Sequence, residues 1–188
     1  MVKTSYDRIQ IGVHWLHAAL IGAAFGLAWT VGGMSFSSQK MQLVSWHKWL
    51  GITVLLLVAL RLAWRVIKGA PSVSHTLPRW QRGLATGVHH LLYLLMFALP
   101  LSGWLMTSAL GGRLDYLGVL PLPALLPENE EIGLLLLDVH GALAGLMVVL
   151  VGLHAAGALK HYVLDRDETL ARMLPFLGKS SKKDGESS

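Results

Sequence analysis

The stretch Leu134–His161, LLLLDVHGALAGLMVVLVGLHAAGALKH, limits the possible folds more than any other part of the chain. It is apolar for nearly its whole length, yet it carries His140 and His154. About 20 apolar residues make a helix that crosses a bilayer, and this run is long enough. The two histidines are fourteen residues apart. On an α-helix that is a rise of about 21 Å, and fourteen steps end about 40° short of whole turns, so both imidazoles leave nearly the same face. Gly141, Ala142, Ala144 and Gly145 surround the first, and Gly152, Ala155, Ala156 and Gly157 the second. Small residues admit a flat group or a neighbouring helix close to the backbone. Ionisable residues inside a membrane are costly and mark function, here two metal cofactors on one helix; the alternative is two hydrogen-bonded packing residues. Partners at the same two depths would decide between these readings.

The rest of the chain repeats the apolar theme. The expected spans are about 9–31, 46–67, 83–107 and 132–159, joined by a Gly/Ser-rich link, a basic link with Pro71 and Pro78, and a link with Gly111-Gly112 and four acids. A composition of 53% hydrophobic and 14% charged residues is too apolar for a soluble domain of this size. The expected fold is therefore all-α: an integral membrane four-helix bundle, one domain over 1–188, with Pro100 kinking the third span. The first run is expected to stay as a helix and not to be cleaved as a leader. A short amphipathic piece around 170–177 precedes an end, 178–188, whose polar composition suits disorder. Cysteine is absent, which excludes disulfides, iron–sulfur clusters and covalent haem attachment through Cys-x-x-Cys-His.

Charge gives the orientation. Of the 16 Lys and Arg, 13 lie in the N-terminus, the 61–82 region and the tail; Lys40, Lys48 and Arg113 lie on the other side. By the positive-inside rule both termini face the cytoplasm, so the net charge of +5 reflects topology and not nucleic-acid binding. His14, His89 and His154 then fall at one level near the inner face, each about 9–10 Å inside its nearest flanking cation. His47 and His140 share a level near the outer face. Two neutral imidazoles facing one another across a bundle suit a six-coordinate haem iron. Zinc would take three or four ligands, and the outer level offers two histidines, with Asp138 a weak third. Gly51, one turn after His47, would let a porphyrin edge lie against the helix. At the inner level spacing alone does not choose between His14–His154 and His89–His154. His17 reads as a group supporting His14 or as an interface residue, His90 points about 100° away from His89, and His75 falls in a link.

These residues resemble the bacterial cytochrome b561 family, and within it the small di-haem proteins that oxidise superoxide and reduce ubiquinone. The matching stretches run in order through Tyr6-x-Arg8-x-Gln10 with His14-Trp15; His47 with Gly51, Arg61 and Arg65; His89 with Ala98-Leu99-Pro100 and Gly103; His140; and Gly152-Leu153-His154-Ala155-Ala156 to His161, Asp167, Thr169-Leu170 and Arg172-Met173. The resemblance implies two b haems in the bundle core, the inner one on His14 and His154 and the outer one on His47 and His140. It also implies a quinone pocket at the inner end with His89 and His161, whose chemistry suits hydrogen bonding and proton relay to a quinone. Arg8 is a candidate for a haem propionate or for the pocket mouth. Lys48, beside His47, is the candidate for steering superoxide, with Lys40 and Arg113 nearby and Asp115, Glu128, Glu130 and Glu131 opposing it.

The expected protein is thus a superoxide:ubiquinone oxidoreductase of the bacterial inner membrane. Its expected partners are the lipid bilayer, superoxide and ubiquinone, with a second copy or a partner redox protein as further candidates. The rival readings are a cytochrome subunit serving a partner dehydrogenase or hydrogenase, and a haem-free four-span transporter.

Overall fold

Three of the four long helices start where a side chain replaces a missing backbone partner. In a computed structural model that describes residues 7–69, 78–165, 170–171 and 173–174, the chain forms α1 (Arg8–Gly32), α2 (Ser38–Lys68), α3 (Arg79–Ala109), β1 (Leu114–Tyr116), β2 (Leu120–Leu122) and α4 (Glu130–Val163). Asp7 caps α1 in a reciprocal box with Gln10. Ser37 Oγ accepts from the Lys40 N–H at 3.2 Å to open α2, and Asn129 Oδ1 accepts from the Ile132 N–H at 3.0 Å to open α4. Glu130 and Glu131 fill the first turn of α4, where the helix dipole favours negative charge.

All four helices are long and apolar enough to cross a membrane. Their outward faces carry exposed Leu60, Val66, Leu135, Val148 and Leu153, as a lipid-facing surface requires. Neighbours pack in sequence order, α1 on α2, α2 on α3 and α3 on α4. Among the described residues α4 makes no close backbone approach to α1 or α2. The cleft between α4 and the first two helices is thus one between backbones, bridged by side chains.

The buried core is a central layer. Val58 of α2, Leu95 and Met96 of α3, and Met147 and Leu150 of α4 form it, with Ile21, Phe25, Phe97 and Leu143 packed around them. Met147 is 2% exposed and lies midway along α4 between His140 and His154. Apolar side chains thus separate the two histidine levels.

Two features differ from expectation. The link expected up to Ser45 is largely helical: α2 begins at Ser38, eight residues before the expected Trp46, because Ser37 and Lys40 cap it in polar sequence. His47 therefore sits inside a helix and does not open one. The link after α3, in an otherwise helical fold, contains the antiparallel hairpin β1–β2, with Tyr116 opposite Leu120. Leu117 and Gly118 turn it at φ 55° and 73°, a left-handed conformation that is easy for glycine and costs leucine about 1–2 kcal/mol. α3 runs unbroken through Pro100. His75, Asp167, residues 175–177 of the amphipathic piece and the tail 178–188 lie outside the described residues.

Candidate cofactor sites in the helix bundle

The cleft beside α4 is crossed by two pairs of imidazoles. At the outer level His47 of α2 faces His140 of α4, with ring centroids 6.3 Å apart and planes at 81°. At the inner level His14 of α1 faces His154 of α4 at 6.2 Å and 64°. Two imidazoles bound through nitrogen to opposite sides of one metal, at about 2 Å per bond and with each nitrogen about 1.1 Å from its ring centre, stand a little over 6 Å apart. Both pairs have that separation. His89 of α3 is also near His154, but at 5.0 Å, too close for a metal between the rings. The inner level thus brings three histidines together, with one of the two pairings at the wider separation.

The hydrogen bonds at the outer level also define the protonation of both rings. His47 Nδ1 lies 2.9 Å from the Ala24 carbonyl oxygen, which can only accept, so Nδ1 carries the proton. Ser102 Oγ donates its one hydrogen to the Leu99 carbonyl at 2.8 Å. It can then only accept from His140 Nδ1, 3.0 Å away. Both rings therefore keep Nε2 bare, the form that binds a metal. Gly103 leaves room for the second ring: a Cβ there would lie 3.1 Å from His140 Cε1.

The inner level is set differently. Arg61 donates from Nη2 to His14 Nδ1 at 3.1 Å, which places the proton of neutral His14 on Nε2. Arg61 and Arg65 also lie over the Tyr93 ring, at 5.3 and 5.8 Å. Trp15 stands edge-on to His14 and donates to the Met173 carbonyl at 2.8 Å, tying residues of the tail to this end of the bundle. His17 is 1% exposed and donates from Nδ1 to the Val13 carbonyl; among the described residues it has no ring pairing with a second histidine.

Around these pairs the structure fits a flat metal complex. Gly51 and Gly157 are half-buried, and a Cβ at either would meet nothing within 4 Å. Each follows a paired histidine by about one helical turn. Among the described residues no three His, Asp or Glu side chains gather as zinc requires, and Asp138 is exposed. Two nitrogen donors and open space beside a glycine match a haem with two axial histidines.

The other expected residues lie at the two ends. Lys48 lines an outer cavity of about 230 Å³ with Ser45, Trp49, Arg113, Asp115 and Gly118. Its Nζ is 3.5 Å from the Arg113 carbonyl, and Trp49 donates to the Asp115 carbonyl at 2.7 Å, so the hairpin is fastened over the His47 end of α2. Lys48 and Arg113 thus share this cavity with one opposing carboxylate. At the inner end His89 is exposed and donates from Nδ1 to the Ala85 carbonyl at 2.6 Å. His161 Nδ1 and Lys160 Nζ each lie 2.7 Å from Asp165 Oδ2. The hydrogen bond from Lys160 holds the Asp165 carboxyl below its usual range, so it stays anionic at neutral pH and keeps drawing on the His161 N–H. Arg8 is exposed in the first turn of α1. Reading the sequence did not find Ser102, Ala24 or the Arg61 contact to His14. No periodicity marks them, since each acts across a helix boundary.

Comparison with known proteins gives the family of the chain. The family model described as prokaryotic cytochrome b561 matches residues 5–176. The chain is 34% identical over 181 residues to "Cytochrome b561 homolog 2" of Escherichia coli (strain K12), covering 96% of this chain and 95% of that protein. It is 33% identical over 174 residues to "Cytochrome b561 homolog 1" of the same organism, covering 90% and 97%. It is 30% identical over 173 residues to "Probable superoxide oxidase CybB" of Yersinia pestis, covering 90% and 96%.

Gly103 supplies a direct test of the outer pair. Gly103→Ala is expected to push the His140 ring aside and to lower the haem retained per chain, measured by the pyridine haemochrome absorbance of purified protein. Full retention with an unchanged spectrum would show that the ring does not need this space.

Proposed function

Starting from the premise that this chain belongs to the prokaryotic cytochrome b561 family of membrane electron-transfer proteins, we propose that it holds two b haems and passes electrons from superoxide to ubiquinone. His47 and His140 would hold the outer haem, and His14 and His154 the inner one. The observation that carries this reading is the matched separation of the two pairs, 6.3 and 6.2 Å. When bound, each haem supplies a one-electron couple. The protein's own residues present the nitrogens, exclude water with the central apolar layer, and handle the anion and the protons at the two ends. Ligation through His14 Nε2 requires Arg61 to withdraw from Nδ1, because that nitrogen must then carry the proton.

The balance of the reaction assigns work to each end. Two superoxide anions each give up one electron and leave as dioxygen. One ubiquinone takes the two electrons and two protons and leaves as ubiquinol. At the outer end Lys48 and Arg113 attract the anion against the single carboxylate of Asp115, and a small anion responds strongly to such a local field. At the inner end His89 and His161 donate hydrogen bonds to the quinone oxygens and deliver protons. His89 Nδ1–H is held by Ala85, so His89 donates to a quinone from Nε2 only as the imidazolium. His161 is oriented by anionic Asp165. Arg8, exposed in the first turn of α1, would stand at the mouth of the quinone site or meet a haem propionate. The excess of Lys and Arg toward the inner end supports an inner-membrane protein with both termini in the cytoplasm. The resemblance to a protein named as a superoxide oxidase supports superoxide as the donor.

Stopped-flow mixing of superoxide with the oxidised protein tests the donor end. Haem reduction should be fast in the parent and several-fold slower in Lys48→Glu, with the difference growing at low ionic strength, where screening is weak. A parent protein that superoxide does not reduce would exclude the reaction. The acceptor end is tested by His89→Ala and His161→Ala. Each should keep a normal low-spin spectrum and fast reduction from outside, while quinone-linked turnover falls by about 10-fold or more, the scale of a lost proton-transfer group. Loss of a haem from His89→Ala would instead make His89 a ligand.

A further inference from the structure

Of the two rings at the outer level, one is oriented by backbone alone, and the other by a side chain together with the Leu99 carbonyl. His47 gives its Nδ1–H to the carbonyl of Ala24, which substitution does not remove. His140 gives its Nδ1–H to Ser102, a residue of α3 that is 6% exposed. Ser102 belongs to none of the groups identified so far as ligand, quinone residue or anion guide.

The direction of this hydrogen-bond chain follows from atom inventory. The Leu99 carbonyl only accepts, so the Ser102 hydroxyl hydrogen points to it, at 2.8 Å. The Ser102 oxygen then faces His140 Nδ1 at 3.0 Å with lone pairs alone. Were Nδ1 also bare, two acceptors would face each other in a buried position, an arrangement that costs about 1–3 kcal/mol. The arrangement therefore selects the tautomer with Nε2 bare and aimed across the cleft at His47. The neighbouring Gly103 admits the ring at this angle, since a Cβ there would meet His140 Cε1 at 3.1 Å and Nδ1 at 3.3 Å.

We infer that Ser102 is a positioning residue for the outer haem, acting through His140 both to present its Nε2 and to tune the potential of that haem. The inference rests on the axial role proposed for His140. A hydrogen bond accepted from the far nitrogen of a ligating histidine raises the basicity of the near one. A more basic ligand stabilises ferric over ferrous iron, so Ser102 lowers the outer potential relative to the same site without it. The sequence thus places at Ser102 a control over the first electron acceptor that touches neither metal nor substrate.

Redox titration of the purified holoprotein tests this, with His140→Leu identifying which wave is the outer haem. Ser102→Ala should keep both haems, shift the outer wave to more positive potential, and leave the inner wave in place. Its low-spin electron paramagnetic resonance signal should move for the outer haem alone, and Ser102→Thr should restore both. Loss of the outer haem from Ser102→Ala with retention in Ser102→Thr would also support the role, since a hydroxyl at this position would then be required. Two haems with unmoved waves in Ser102→Ala, while His140→Leu lacks one, would overturn the inference and leave the ligand assignment standing. Loss of the outer haem from both serine variants would overturn it as well, because packing alone would explain that result. Two unchanged waves in His140→Leu would overturn the ligand assignment itself.

Discussion

Polar rings facing each other across a cleft in an apolar bundle are the arrangement on which the rest of this molecule depends. A buried imidazole without a partner is expensive, and more so in a membrane, where water cannot compensate it. Here the rings of α4 meet rings from α2 and α1 at 6.3 and 6.2 Å, where the backbone of α4 makes no close approach to either helix. The cleft and the pairs explain each other. A group that fills the space and binds both nitrogens would replace the missing helix contact and satisfy the polar atoms together. That is the role proposed for haem in this member of the cytochrome b561 family.

The two levels are not equivalent. At the outer level Ala24 and Ser102 hold both rings with Nε2 bare, so the protein's own hydrogen bonds prepare the donors. At the inner level Arg61 holds His14 in the opposite tautomer, and His89 crowds His154 at 5.0 Å. The inner level therefore has alternatives to resolve when it is loaded, and it adjoins the end proposed to handle protons, where His89 is exposed and His161 half-buried. Between the levels Val58, Met96 and Met147 form a buried apolar layer, which would keep the proposed chemistry of one end from the other.

Much of this was legible in the sequence because a helix converts spacing into depth and direction. His140 and His154 had to share a face, and the cations of each link gave the levels of His14, His47 and His89. The start of α2 was not legible from hydropathy, which marks the apolar slab and not the helix; Ser37 caps the helix in polar sequence well outside the slab. The β1–β2 hairpin was hidden because its strands have three residues each and its turn places Leu117 in a left-handed conformation. Ser102 and Arg61 were hidden for a further reason. Their roles depend on how α3 and α2 are rotated against α4 and α1, and rotation is set by packing over the whole bundle and not by local pattern.

The central claim is that each histidine pair holds one haem with both axial positions filled. Haem quantification together with low-temperature electron paramagnetic resonance of the oxidised holoprotein tests it most directly. The account predicts two non-covalent b haems per chain and two distinct low-spin signals, because the two levels place their rings at different angles, 81° and 64°. One haem per chain, or a high-spin signal from an iron with an open position, would contradict it.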